Sequence, residues 1–140
     1  MNADVESESA ANGWWTLAAL AQGGFYLITG LWPLIHSASF ERVTGPKADL
    51  WLVKTVGVLV SVIGGILLAA GLRRRPRPEV SALGIGSAAS LAGVDLVYTA
   101  QQRISPVYRL DAAAEIGLIV LWLAGIVSAL GRPARSDYQI

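Results

Sequence analysis

Four ionisable side chains stand inside, or one turn from, stretches that carry no other charge: Lys54, Asp95, Asp111 and Glu115. In apolar surroundings a lysine and carboxylates can pair, hold a polar ligand or exchange protons. Tyr26, Tyr98, Tyr108 and His36 fall near the same chain levels and can donate hydrogen bonds. The chemistry available is therefore a polar pocket built of one cation, three acids and four hydrogen-bonding side chains.

Other chemistry is excluded by composition. The chain of 140 residues has no cysteine. Disulfides, thiol redox steps, iron–sulfur clusters and thiolate zinc sites are therefore unavailable. A single histidine rules out any site needing two imidazoles. No cofactor and no metal is expected. The net charge of +1 gives no field that would draw a nucleic acid.

The elements that must position these groups follow from hydropathy. Hydrophobic residues make up 54% of the chain and charged residues 15%, against about 25% charged in an average soluble domain. Mean hydropathy is +0.51. The run from Ser9 to Phe40 is free of charge and long enough to cross a bilayer. The uncharged runs Thr55 to Leu72, Val80 to Val94 and Ile116 to Gly131 are each shorter than the ~20 residues a span needs. Arg73 to Pro78 stop two of them, and Gly131, Arg132 and Pro133 stop the last. Proline breaks helices and arginine is costly in lipid, so extension must come from the other ends. There the helices take in Lys54, Asp95 and Glu115. At ~1.5 Å per residue, all three lie about 6 Å below the same boundary.

The fold expected is all-α: an integral membrane, up-down four-helix transmembrane bundle. Residues 1–13 form an acidic, disordered cytoplasmic tail. Residues 14–131 form the transmembrane domain, with helices at about 14–35, 50–72, 79–100 and 109–130. Residues 132–140 form a short cytoplasmic tail. Short connections favour antiparallel neighbours. The dense cluster Arg73, Arg74, Arg75 and Arg77, with Arg132 and Arg135, outweighs Arg42, Lys47, Arg103 and Arg109 on the opposite side. The positive-inside rule then puts both termini in the cytoplasm and the chain in the cell membrane. The N-terminal segment has no basic region or cleavage site and reads as no secretory signal.

Helical spacing directs the charges inward. Lys54 continues to Gly57, Ser61 and Gly65. Asp95 continues to Ala92, Ala88 and Gly84, and upward to Tyr98. Both rows are small-residue packing faces. Asp111, Glu115, Leu118, Trp122 and Gly125 share a face of the last helix, with Tyr108 one turn above. Gln22, Tyr26, Thr29, Pro33 and His36 stripe the first. Lys54 is expected to pair with Asp95 or Glu115. A second acid beside one lysine leaves a carboxylate unmatched, which makes a protonatable site. Trp14, Trp15, Trp32 and Trp51 fit interfacial aromatic belts, and Trp122 fits the core. Phe40 and Val43 in the 36–49 connection fit a short amphipathic lid.

Two segments, FERVTGPKADLWLVKTVG at 40–57 and RISPVYRLDAAAE at 103–115, together resemble small four-span bacterial membrane proteins that carry no assigned function. That resemblance implies the fold. The architecture is also similar to the sterol-isomerase and sigma-2 type of four-helix membrane proteins. Those hold acidic residues in an intramembrane pocket that binds a cationic amphiphile or stabilises a carbocation. The likeness implies that part for Asp95 and Glu115, while Lys54 departs from it.

Three functions compete. The first is a pocket in the outer third of the bundle that binds a lipid-like or small polar ligand, with or without coupling to protons. The second is a structural or accessory subunit that docks a membrane-protein partner or a second copy. The third is an isomerase-like enzyme acting on a lipid or isoprenoid. Membrane lipids are the expected surroundings in all three, and binding is favoured over catalysis.

Overall fold

The helix breaks fall where proline, glycine and arginine interrupt the apolar runs. A computed structural model of the chain describes residues 2–131. Among them are five helices: α1 Asn2–Ile35, α2 Ser37–Thr44, α3 Leu50–Arg73, α4 Pro78–Ala100 and α5 Tyr108–Leu130. Four of these are long and apolar enough to cross a membrane: Glu8–Ile35 within α1, then α3, α4 and α5. The expected C-terminal tail, residues 132–140, lies outside the described residues.

Local chemistry sets each boundary. His36 ends α1 and caps α2, its Nδ1 accepting the Ser39 N–H at 3.1 Å. Gly45, at φ 90°, ends α2 in a backbone region that suits glycine. Arg74 adopts the left-handed conformation after α3, and its N–H donates to the Gly71 carbonyl. Pro78 opens α4, where its missing N–H costs nothing.

One expectation is corrected at the N-terminus. Residues 2–13 continue α1 rather than forming a disordered tail. The segment has no proline, and its alanines and glutamates are good helix formers.

The helix α1 is central: it packs against α3 on one side and α5 on the other, and α5 packs against α4. By contrast α3 and α4 barely touch. The α1–α3 contact is made by glycines. A Cβ on Gly57 would lie 2.6 Å from the Gly30 carbonyl oxygen, and one on Gly64 2.8 Å from the Tyr26 Cβ. Only hydrogen fits there, as at close-packed membrane helix crossings.

The buried seam of α3 runs through Gly57, Gly64, Leu67 and Gly71. This is heptad spacing, which holds one line toward a partner helix. The row Gly57, Ser61, Gly65 drifts off that line, and a Cβ on Gly65 would meet nothing. Deep in the half away from α2, Trp15, Ala18, Ala19, Leu67 and Trp122 form the apolar core. Trp15 is thus corrected from belt to core: it is buried, donates Nε1–H to Ser81 Oγ at 2.9 Å and meets Trp122 edge-on. Trp14 and Trp51 are exposed.

Candidate functional site

The end of the fold that carries α2 holds a cavity of about 630 Å³. Its walls come from the C-terminal part of α1, from α2, from the first half of α3, from the last turns of α4 and from the start of α5. Because α3 and α4 barely touch, the helices leave space between them there. The lining is mainly apolar. Leu52 and Val56 of α3, Val94 of α4 and Leu110 of α5 line it while remaining exposed, so its rim is apolar.

Three carboxylates share the α4–α5 wall: Asp95, Asp111 and Glu115. Asp95 lies on the buried stripe Gly84, Ala88, Ala92, Asp95, Thr99 and is 6% exposed. Its backbone carbonyl accepts from Thr99 Oγ1, but its side-chain Oδ2 is buried with no hydrogen-bond partner among the described residues. A buried polar atom without a partner is uncommon and calls for a cause. Asp111 is half-buried; its carboxyl lies within hydrogen-bonding reach of the Asp95 carboxyl and within electrostatic reach of Glu115. Glu115 is 1% exposed and accepts the Tyr26 O–H at 2.9 Å.

Tyr26 belongs to a longer polar chain across the core. Its hydroxyl lies beside Ser87 and Gln22. Gln22 is fully buried; its Nε2 donates to the Gly84 carbonyl at 2.9 Å and to Ser87 Oγ at 3.2 Å. Its Oε1 accepts Trp122 Nε1–H at 2.6 Å. Every hydrogen-bonding atom of Gln22 that faces the core is therefore engaged, unlike Asp95 Oδ2. The sequence signal for Gln22 was present: an amide in the middle of an uncharged run, one turn before Tyr26.

Of the side chains expected to form the pocket, Tyr26, Asp95, Tyr108, Asp111 and Glu115 line the cavity. Three do not. Lys54 is exposed on α3 and makes no ion pair; the one ion pair among the described residues is Arg77–Glu79 at 3.7 Å. The reason is the α3 seam: its heptad line passes from Gly57 to Val53, which lines the cavity, and leaves Lys54 to one side. Tyr98 is exposed because the α4 stripe passes from Asp95 to Thr99. His36 is exposed and serves as the α2 cap.

The short helix α2, between α1 and α3, contributes Phe40, Val43 and Thr44 to the cavity wall. Trp32 Nε1–H donates to Ser39 Oγ at 2.8 Å, and the Trp32 and Phe40 rings meet edge-on at 5.6 Å. Lys47, not singled out from the sequence, lies 5.1 Å from the Tyr108 ring centre and donates to the Thr44 carbonyl. No lysine or arginine lines the cavity. No group of three histidine, aspartate or glutamate side chains among the described residues could hold a metal ion.

Comparison with known proteins gives no relative. No family model, no curated protein and no solved structure matches the chain. The functional reading rests on the site alone.

Proposed function

We propose that the chain crosses the cell membrane four times, as an up-down bundle, and binds a lipid-like ligand in this cavity. The membrane reading is supported by the outward faces of the long helices. Ile28, Leu59, Val62, Val120 and Val127 are all exposed along them. An apolar surface of that extent suits lipid and not water. The arginines from Arg73 to Arg77 then mark the cytoplasmic side. Both termini share that side, and the cavity opens near the outer boundary.

The observation that carries the binding reading is Asp95: a buried carboxyl oxygen with no hydrogen-bond partner among the described residues, in the wall of a mainly apolar cavity. A site of this kind holds a ligand by burying its apolar part and fixing it with a few polar groups. The volume lies within the roughly 300–1,000 Å³ of small-molecule pockets. The apolar rim at Leu52, Val56 and Val94 gives such a ligand a path from the bilayer through the space between α3 and α4.

The test is to fill the cavity. Ala114 lines it and is half-buried. Ala114→Trp and Leu91→Trp should fold with unchanged helicity yet lose lipid-like molecules that co-purify with the wild-type chain, read by mass spectrometry of the extracted protein. Identical co-purifying molecules in wild type and both variants would sink the reading and leave the accessory-subunit function in its place.

A further inference from the structure

We infer that the arginine-rich link between α3 and α4 binds the phosphate of an anionic phospholipid, at the end of the bundle opposite the cavity. The site rests on the membrane reading above and is independent of the cavity.

The charge is concentrated and largely uncompensated. Arg73, Arg74, Arg75 and Arg77 fall within five consecutive residues, and all four are exposed. The one ion pair among the described residues, Arg77–Glu79 at 3.7 Å, engages only the last of them. Glu6 and Glu8, at the same end of the bundle, pair with none of them. Guanidinium groups left in this state match a phosphate, which they grip through paired N–H donors.

The link is held at both ends, which makes it a built surface and not a loose tail. On the α3 side, Gly71 packs so closely on α1 that a Cβ there would lie 2.9 Å from the Leu20 side chain. On the α4 side, Ser81 Oγ accepts the Trp15 Nε1–H at 2.9 Å. Between these clamps the backbone is restricted. Arg74 is left-handed at φ 51°, and Arg77, before Pro78, is extended at φ −135° and ψ 134°. Fixed arginines lose less freedom on meeting an anion than arginines on a floppy segment.

The surface beside the link decides between a lipid and a soluble phosphate. Leu72, Ala69, Ile66 and Val62 follow at steps of three and four and are all exposed. They form an apolar row that starts at the arginines and runs down α3 into the span. A phospholipid places its phosphate on the arginines and an acyl chain along this row. A free phosphate leaves the row uncovered. Clusters of basic residues just cytoplasmic of a span are the general pattern of such recognition.

The full chain, purified in dodecyl maltoside, is titrated with dioleoyl phosphatidylglycerol and separately with dioleoyl phosphatidylcholine. Retained lipids are counted by native mass spectrometry, which does not depend on orientation in a membrane. Each arginine near an anionic headgroup is worth about five-fold in affinity. Phosphatidylglycerol should therefore be retained at least about five-fold more tightly than phosphatidylcholine. Joint Arg74→Gln and Arg75→Gln substitution should cut that preference by a similar factor without lowering the unfolding midpoint. Arg103→Gln, near the cavity end, should leave it unchanged. Glycerophosphoglycerol, the headgroup without its chains, should not displace the lipid even in large excess. Equal retention of the two lipids, a preference untouched by the double variant, or displacement by the chainless headgroup overturns the assignment and leaves the cavity reading standing. A chain that stays monodisperse in buffer without detergent overturns the membrane reading and this site with it.

Discussion

The side-chain oxygens of Tyr26 and Glu115 meet at 2.9 Å, although the residues are 89 positions apart in the chain. Both are buried, one on α1 and the other on α5. This contact ties the two helices together at the floor of the cavity and keeps Glu115 engaged. On the neighbouring helix, Asp95 Oδ2 is buried with no such donor among the described residues.

Breaking that contact has a measurable cost. Tyr26→Phe removes the donor and strands Glu115. Interhelical hydrogen bonds in membranes are worth on average ~0.6 kcal/mol and at most ~1.7. A double-mutant cycle with Glu115→Gln, read by unfolding in mixed detergent micelles, should return a coupling within that range. A coupling of zero would mean that the two side chains do not interact.

Asp95 and Lys54 should behave in opposite ways to a buried ion pair. Asp95→Asn removes a buried carboxyl whose Oδ2 has no hydrogen-bond partner among the described residues, and it should hold or raise the unfolding midpoint. Lys54→Gln should change stability by less than about 0.5 kcal/mol, as at other exposed positions. If either substitution were strongly destabilising and the double variant were not, the two would be paired after all.

The glycine seam gives a test of the α1–α3 contact within two adjacent residues. Gly64→Ala places a methyl 2.8 Å from the Tyr26 Cβ. Overpacking of this kind costs about 1–3 kcal/mol. Gly65→Ala meets nothing within 4 Å and should be neutral or mildly stabilising. Equal effects at the two positions would argue against the seam.

A similar contrast separates the first two tryptophans. Trp15 is in the core with its indole N–H on Ser81, while Trp14 is exposed. Trp15→Phe should lower the unfolding midpoint, since Ser81 loses its partner and Trp122 its edge contact. Trp14→Phe should leave it unchanged. Emission should also be more red-shifted from Trp14 than from Trp15 in single-tryptophan variants.

The amide network around Gln22 predicts a larger loss. Gln22→Leu leaves Trp122 Nε1–H and the Gly84 carbonyl without that partner at once. An unsatisfied buried group costs ~1–3 kcal/mol. Thermal unfolding in detergent should show the greatest fall of any conservative α1 substitution here. A variant as stable as wild type would show that water or a rearranged partner replaces the amide.

Sequence alone determined three of the long helices and the end of the first. Uncharged runs, proline and arginine stops and lipid thickness locate α3, α4 and α5 to within a residue of their ends. They also predict that Asp95 and Glu115 are drawn inside, because those runs are too short without them. The helical faces of α4 and α5 were legible as well, since small residues and a tryptophan mark them at regular spacing. Tertiary structure decided which neighbours those faces meet. An i+3 and an i+4 step are equally good continuations in one helix. The partner selects between them, sending Lys54 and Tyr98 outward and Val53 and Thr99 inward. For α3 the glycine contacts with α1 made that choice, since the heptad line Gly57, Gly64 and Gly71 meets α1 at close range. The same packing draws α3 toward α1 and away from α4, and it is this spacing that leaves room for a cavity.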